Sequence, residues 1–439
     1  MVRPQQMRTV WFCLLVIGVA TGLSQAKFLS RREAKKSPQA RIACVPSPTM
    51  GVRYFDADDL GQHDYRSGRD ERNGIVYTCR GGHIDVTHLR KIADWTAYLA
   101  YQTREALVRG DDQFKFSMFE PSQHTVRITY PAGWKYLNRK TRRDIAGEVS
   151  ISLSAYLAYT CSVWHEILTW HGFKAIGFYP EYNSAFSWED NYSNALGSYL
   201  GAQALRARDE DYNQAMTRLI VEQFQRLGPQ SKETARAAGL AVKGSWYVGA
   251  FVRVTMTKRH LDVGLDDGFV TPWLVPDVAP CGTPEPWFCP VPDLRLLEEY
   301  GFRIHHEIRP KEWERFEILR AVYPDRKDRK NRIVPTEHFD ALMDYVGAKV
   351  EERYGPYAQL PEDPSSAQRH MARQSGCPTG PVEVNRPEGN EDAADLAGAS
   401  SRASTVSFEP EQETTDEQPS RGLFEFLGSA VSWLTQSVI

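Results

Sequence analysis

Residues 141–170 carry apolar side chains at a helical period with no proline among them, and His171-Gly172 follow, where a glycine suits a helix stop. A helix of this length persists when its apolar side is covered, so the chain must fold around helices packed on one another. Residues 85–108 repeat the pattern, with Leu89, Ile92, Trp95, Leu99 and Ala106 as the stripe. Residues 188–207 and 210–227 add two more helices. Strand-like alternation occurs at 124–130, 245–257 and 302–308. Helices dominate and strands are scattered, so the expectation is α+β: one predominantly α-helical globular domain over residues 44–360 with a few short strands.

The flanks read differently. Arg3 and Arg8 precede an apolar run from residue 9 to 23 that ends in Ser24-Gln25-Ala26. A basic start, a short apolar core and small residues before the cut predict a signal peptide over 1–26 and export of the chain. An uncleaved anchor is the alternative, although the run is short for a bilayer span. No cysteine follows Ala26, which predicts no N-terminal lipid anchor. Residues 27–43 are basic and polar, a mobile leader. Residues 361–420 are rich in Pro, Ser, Glu, Gln and Ala, too poor in large apolar groups to offset chain entropy, and are expected to form a disordered acidic tether. In residues 421–439, Leu423, Phe424, Leu427, Val431, Trp433 and Leu434 return at helical spacing. Such an amphipathic end has three uses: lying on a membrane surface, docking to a protein partner, or packing on its own domain. Its polar face has almost no Lys or Arg, which counts against the membrane.

Charge and cysteines narrow the classes. With 53 Lys+Arg against 56 Asp+Glu the chain has no basic excess for a phosphate backbone, so no nucleic-acid partner is expected. No long apolar stretch follows the N-terminus, so a polytopic membrane protein is excluded. Loss of residues 1–26 removes Cys13 and leaves Cys44, Cys79, Cys161, Cys281, Cys289 and Cys377, an even set that permits disulfides. Cys281 and Cys289 bracket a Pro-rich loop and are the one pair with a local argument. Cys161 falls in the long helix and reads as a small buried residue. No CxxC occurs, so a thiolate zinc ribbon is out.

Three stretches put ionisable groups on helix faces that should be buried. Gly81-Gly82-His83-Ile84-Asp85-Val86-Thr87-His88 lets the chain turn tightly into a helix, with Asp85 and His88 one turn apart, about 5–6 Å at Cβ. The bland account is a capping Asp and a satisfied core His. Trp164-His165-Glu166 turns His165 inward beside Leu157 and Cys161, and a His-Glu pair in an apolar helix suits an imidazole holding Zn²⁺ while the carboxylate deprotonates its water. A full HExxH needs a second His where Thr169 stands. Ser187-Trp188-Glu189-Asp190 starts a helix with Ser187 as N-cap candidate, two acids in the first turn and small residues behind for close packing. Elsewhere the signals are weak. No GxxxxGK[ST] loop exists, and His305 and His306 point to opposite faces of a strand and so cannot chelate one ion.

His165-Glu166, then Glu189 or Asp190, then Ser193-Asn194 and Gly197, resembles the thermolysin-type gluzincin arrangement without its second His. The resemblance implies His165 as a zinc ligand, Glu166 as general base, Glu189 or Asp190 as the third ligand, and Asn194 in place of the acid that orients a ligand imidazole. Asp85 and His88 would complete the coordination from a neighbouring helix. The segments 79–90, 164–172 and 187–197 also resemble an uncharacterised family of exported bacterial proteins, a domain of unknown function. That resemblance implies the periplasm or cell envelope and no activity. Two functional readings follow: a zinc-dependent hydrolase whose small-molecule or peptide substrate is unread, or a non-enzymatic envelope protein. In the second, the buried groups are a structural network and residues 421–439 do the binding.

Overall fold

Local capping rules set the helix boundaries. Asp85 accepts from the Thr87 N–H and starts the first long helix, and Gly110, at φ 80°, ends it. Asn138 accepts from the Thr141 N–H and starts the second, which runs through Trp170 and stops at His171-Gly172 as expected. The computed structural model describes residues 36–41, 47–48, 52–174, 181–207, 209–250, 254–356 and 358–359. The expected signal peptide (1–26), the start of the leader, the tether (361–420) and the amphipathic end (421–439) lie outside the described residues, with Cys44 and Cys377. All described residues belong to the first of two units by contact, Met1–Ser375.

After a 3-10 turn at Ala57–Asp59, a hairpin of β1 (Ile75–Thr78) and β2 (Gly82–Asp85) passes directly into α1 (Val86–Arg109). Strands β3 (Gln113–Phe116) and β4 (Gln123–Thr129) precede α2 (Arg139–Trp170). Helices α3 (Asp190–Arg206), α4 (Tyr212–Leu227) and α5 (Lys232–Ala241) follow, then the short pairs β5 (Tyr247–Val248) with β6 (Thr255–Met256) and β7 (Phe269–Val270) with β8 (Cys289–Pro290). A short α6 (Arg295–Glu299), β9 (Arg303–Arg309), α7 (Arg315–Val322) and α8 (Pro335–Tyr354) complete the described chain. Strand β9 pairs antiparallel with β4, from Gln123 opposite Arg309 to Thr129 opposite Arg303, giving the sheet order β3-β4-β9. The architecture is α+β and mostly helical. No helix among the described residues is long and apolar enough to cross a membrane.

Helices α1, α2 and α3 make the core that matters for function. A Cβ on Gly197 would come within 2.3 Å of the Leu89 carbonyl oxygen, and one on Gly201 within 2.8 Å of the Ala93 Cα. Small residues in α3 thus let its backbone lie against α1 more closely than side chains allow, and the first turns of the two helices meet. Leu89, Ala93, Ala97, Tyr192, Leu196 and Leu200 are buried in that seam, and Ile151, Trp164, Ile167 and Leu168 cover it from α2.

Four local expectations are corrected. Gly81 and Gly82 shape the β1–β2 hairpin rather than a direct entry to the helix; Gly82 stands at φ 65° with the Trp273 carbonyl oxygen 2.2 Å from where a Cβ would sit. The alternating run 245–257 is two two-residue strands of a pair, not one strand. Cys281 bonds to Cys79, with Cα atoms 5.2 Å apart, and Cys289 is a buried free thiol, because the hairpin turn is the nearer neighbour in space. Arg41, expected in a mobile leader, is 9% exposed, its guanidinium gripped by Glu71 and Asp94. Cys161 is buried and free, as its helical position indicated.

Candidate functional site

His88 leaves the first turn of α1 and meets the first turn of α3: its Nδ1 lies 2.8 Å from Asp190 Oδ1 and 3.4 Å from Asp85 Oδ2. Asp85 itself is tied down by the Thr87 N–H at 2.7 Å, and its own N–H donates to Ser193 Oγ at 3.0 Å. From α2, His165 presents its Nδ1 to Glu120 Oε1 at 2.5 Å, across from the loop between β3 and β4. Each imidazole is therefore held at Nδ1 by a buried carboxylate. The two histidines keep 11% and 17% of their side chains exposed, whereas Asp85 and Glu120 keep none.

Glu166 lies beside both histidines. Its Oε2 accepts from the Phe186 N–H at 2.7 Å. Phe186 sits at φ 54°, a left-handed backbone that costs a phenylalanine about 1–2 kcal/mol. Its carbonyl accepts from the His260 N–H at 2.8 Å, so the strained residue is clamped from both sides. The strain places a backbone donor at the carboxylate. Ser187 follows, 2.8 Å from Glu189 Oε1 and 2.7 Å from Asp190 Oδ2. Ser187 is thus no N-cap, and α3 starts at Asp190 without a side-chain cap.

Electrostatics divide these acids into three kinds. Burial and the neighbouring Asp190 charge push the Glu189 carboxyl well above its usual range. The Ser187 hydroxyl stands within donating reach of both Glu189 and Asp190 and has one proton to share between them. Burial would raise Asp190 too, but His88, by charge and hydrogen bond, and Ser187 outweigh it and hold Asp190 low and ionised. Glu166 falls between. Burial and Asp190 raise it, His165, the Phe186 N–H and His88 pull it back, and it rests at about 7. Burial would lower His88, yet Asp190 and Asp85 overcome this and lift it to about 9. His165 is likewise raised, against burial, by Glu120.

All six residues singled out from sequence, Asp85, His88, His165, Glu166, Glu189 and Asp190, are thus brought to one neighbourhood by three helices. The pairings differ from the gluzincin-like pattern. Asp190 serves His88 rather than His165, Glu189 bonds Ser187, and Asn194, 3% exposed, leaves its Oδ1 without a hydrogen-bond partner. His171 lies outside the site: it caps α2 through Ile167 and stacks on Tyr345. His305 and His306 do face opposite ways, His305 to Glu307 and His306 to the buried His124. Sequence reasoning missed Glu120 and gave Ser187 only a capping role. Glu120 stands in a loop before a strand, and only its distant partner marks it. No group of three or more His, Cys, Asp or Glu side chains among the described residues is arranged to hold a metal ion.

Residues 36–254 match the profile of a family described as "Protein of unknown function (DUF4056)". The matched span includes every member of the cluster, Glu120 among them. No curated protein and no solved structure gives a significant match to the chain.

Proposed function

Because residues 36–254 belong to that family of unknown function, we propose a function from the chemistry of the cluster: a hydrolase with an acid–base site of Glu166, His88 and His165. One observation carries the reading. Two imidazoles, each fixed at Nδ1 by a carboxylate, stand with Glu166 where three helices meet, and both keep part of their surface open. A buried carboxyl group near neutrality exchanges protons at working pH. Glu166 takes a proton from the attacking water. His88, kept charged by Asp190 and Asp85, gives a proton to the leaving group. His165, oriented by Glu120, positions the substrate. Phe186 and Ser187 hold the carboxylates in place.

The test is turnover of chromogenic esters, phosphates, glycosides and peptide anilides by wild type and Glu166→Gln. At least one class should be cleaved, with a rate rising through about pH 7 and falling about 100-fold or more in Glu166→Gln. No cleavage, or cleavage unchanged in Glu166→Gln, would sink the hydrolase and leave the cluster as a structural network in a non-enzymatic protein.

A second reading, zinc at this site, is favoured by the Nδ1–carboxylate bonds. Ligand histidines are usually oriented in this way, with the other nitrogen on the metal. Imidazole and carboxylate are donors that zinc accepts. In this version His88 and His165 would be the ligands and zinc would make the bound water more acidic; Asp85, Asp190 and Glu120 would orient the imidazoles. The described side chains do not gather three donors, so the steps above do not depend on it. Metal content by mass spectrometry, on protein purified without a His tag, decides this. Stoichiometric zinc lost in His88→Asn and His165→Asn supports it; no transition metal and no loss of stability with a chelator removes it.

The proposed setting is the periplasm or cell envelope. The signal-like residues 1–26 support it, as does the Cys79–Cys281 bond, since disulfides persist in oxidising compartments. Residues 421–439 are proposed to hold the enzyme to a membrane surface or protein partner. Unchanged fractionation and pull-down after their deletion would remove that role.

A further inference from the structure

Buried charges are normally paired with an opposite charge, and Arg259 is not. It is 0% exposed, and no carboxylate among the described residues pairs with it. Its Nη1 donates to the carbonyls of Ala185 and, at 3.2 Å, Tyr182; its Nη2 donates to the Tyr354 hydroxyl at 3.4 Å. Three rings close on the guanidinium, Trp170 at 5.5 Å, Tyr182 at 5.6 Å and Tyr354 at 5.5 Å. Burial still outweighs Tyr354 and Tyr182 and holds its pKa below the usual guanidinium range. A cation kept at such a cost is held for its contacts.

Those contacts lead to Glu166. The carbonyl of Ala185 and the N–H of Phe186 belong to one peptide group. Arg259 donates to the oxygen of that peptide, and the same peptide donates its N–H to Glu166 Oε2 at 2.7 Å. A cation on the oxygen draws electrons from the N–H and makes it a stronger donor, since hydrogen bonds in a chain polarise one another. The grip also bears on geometry, because Phe186 is the residue strained at φ 54°. His260, next to Arg259 in the chain, holds the Phe186 carbonyl through its N–H at 2.8 Å, and its own carbonyl accepts from Asn191 Nδ2 at 2.5 Å. Residues 259 and 260 thus hold the peptide oxygens before and after the strained residue. Arg259 is anchored in turn by its N–H on the Ala358 carbonyl at 2.8 Å and by Tyr354, at the end of α8.

We propose that Arg259 is a positioning residue for Glu166: its guanidinium, held by Trp170, Tyr182 and Tyr354, fixes and polarises the 185–186 peptide that donates to the carboxylate. Importance for turnover rests on the acid–base reading above, whereas the grip itself does not. The groups that face Glu166 are Asp190 from α3, His88 from α1, His165 from its own helix and this peptide, and only the last is set by Arg259. The Phe186 N–H pulls the Glu166 pKa down, so loosening it sends that pKa up.

Two readouts on the full chain test this without any substrate: the Glu166 titration, followed by its side-chain carbon signal in NMR, and hydrogen exchange of the Phe186 N–H. Arg259→Met keeps an apolar stem among the rings and leaves no carboxylate orphaned. It should raise the Glu166 pKa by about one unit, the scale of one hydrogen bond to a charged group. Exchange at Phe186 should quicken roughly tenfold or more. Tyr354→Leu keeps the charge but loosens its anchor, and should move both readouts the same way by less; if Arg259→Met does not fold, this variant decides. Arg41→Lys, in the separate cluster around Asp94, should move neither. Unchanged readouts in the decisive variant overturn the proposal, as does a raised pKa without faster exchange, which is loss of charge alone. Equal movement in Arg41→Lys overturns it too, since the whole domain would then be loosening. Both shifts in a protein whose turnover ignores Glu166→Gln would sink the hydrolase and leave the grip standing.

Discussion

Two buried charge clusters share helix α1, and they are built differently. On one side of the helix Asp94 and Glu71 face Arg41, whose Nη1 donates to Asp94 Oδ2 at 2.6 Å and whose Nε and Nη2 donate to the two oxygens of Glu71 at 2.9 and 2.8 Å. His63 and Tyr212 complete Asp94 at 2.9 and 3.1 Å. Two acids meet a guanidinium and an imidazole, and although burial opposes it, both carboxyls are held below their usual range, chiefly by Arg41. On the other side Asp85, Glu120, Glu166, Glu189 and Asp190 share His88 and His165. Acids outnumber imidazoles, so Glu189 is pushed well above the usual carboxyl range and Glu166 sits at about 7. A balanced cluster locks a fold. One with surplus acid has protons to exchange.

The largest expected effect comes from breaking the balanced cluster. Arg41→Ala leaves two buried carboxylates without their main cation and should cost about 3–5 kcal/mol in urea unfolding. A loss no greater than that of the site variants would erase the contrast.

The next effect is pH-dependent. His88 titrates at about 9 folded and about 6.5 unfolded, so its contribution is full below about 6.5 and is lost as pH rises through 9, up to roughly 3 kcal/mol. His88→Gln should flatten the stability curve between those values; a slope that survives the substitution assigns it to another group.

Glu166 acts in the same direction at lower pH. Its folded pKa of about 7 lies above the unfolded carboxyl, so the folded state holds the extra proton and stability falls from about pH 4.5 to 7. Glu166→Gln should remove that fall and leave the protein roughly 1–3 kcal/mol more stable than wild type at pH 8. A loss of stability there would mean the ionised carboxylate is part of the lock. The smallest effect sets the baseline: Arg218, exposed on α4 between Glu210 and Glu222, should cost under about 1 kcal/mol as Ala.

Much of the frame was legible before the fold. The four helices expected from the sequence begin and end within a few residues of their patterns, and β4 and β9 lie where alternation put them. Helix α8 was not among the expected helices, although its Pro335 start and its stripe of Phe339, Leu342, Met343, Val346 and Val350 are both written in the sequence. Small residues in α3 announced a close approach, and Gly197 and Gly201 make it against α1.

Periodicity and caps are written in neighbouring residues, so helices, their inward faces and the inward-turned ionisable groups could be named from the order of amino acids. Partners were another matter. That His165 takes Glu120, His88 takes Asp190, Cys281 takes Cys79 and Arg41 takes Asp94 depends on segments far apart in the chain arriving at one place. A pKa is a property of that arrival. Glu166 and Glu189 are both glutamates on or beside helices, and only what is packed around each leaves one at about 7 and pushes the other well above its usual range.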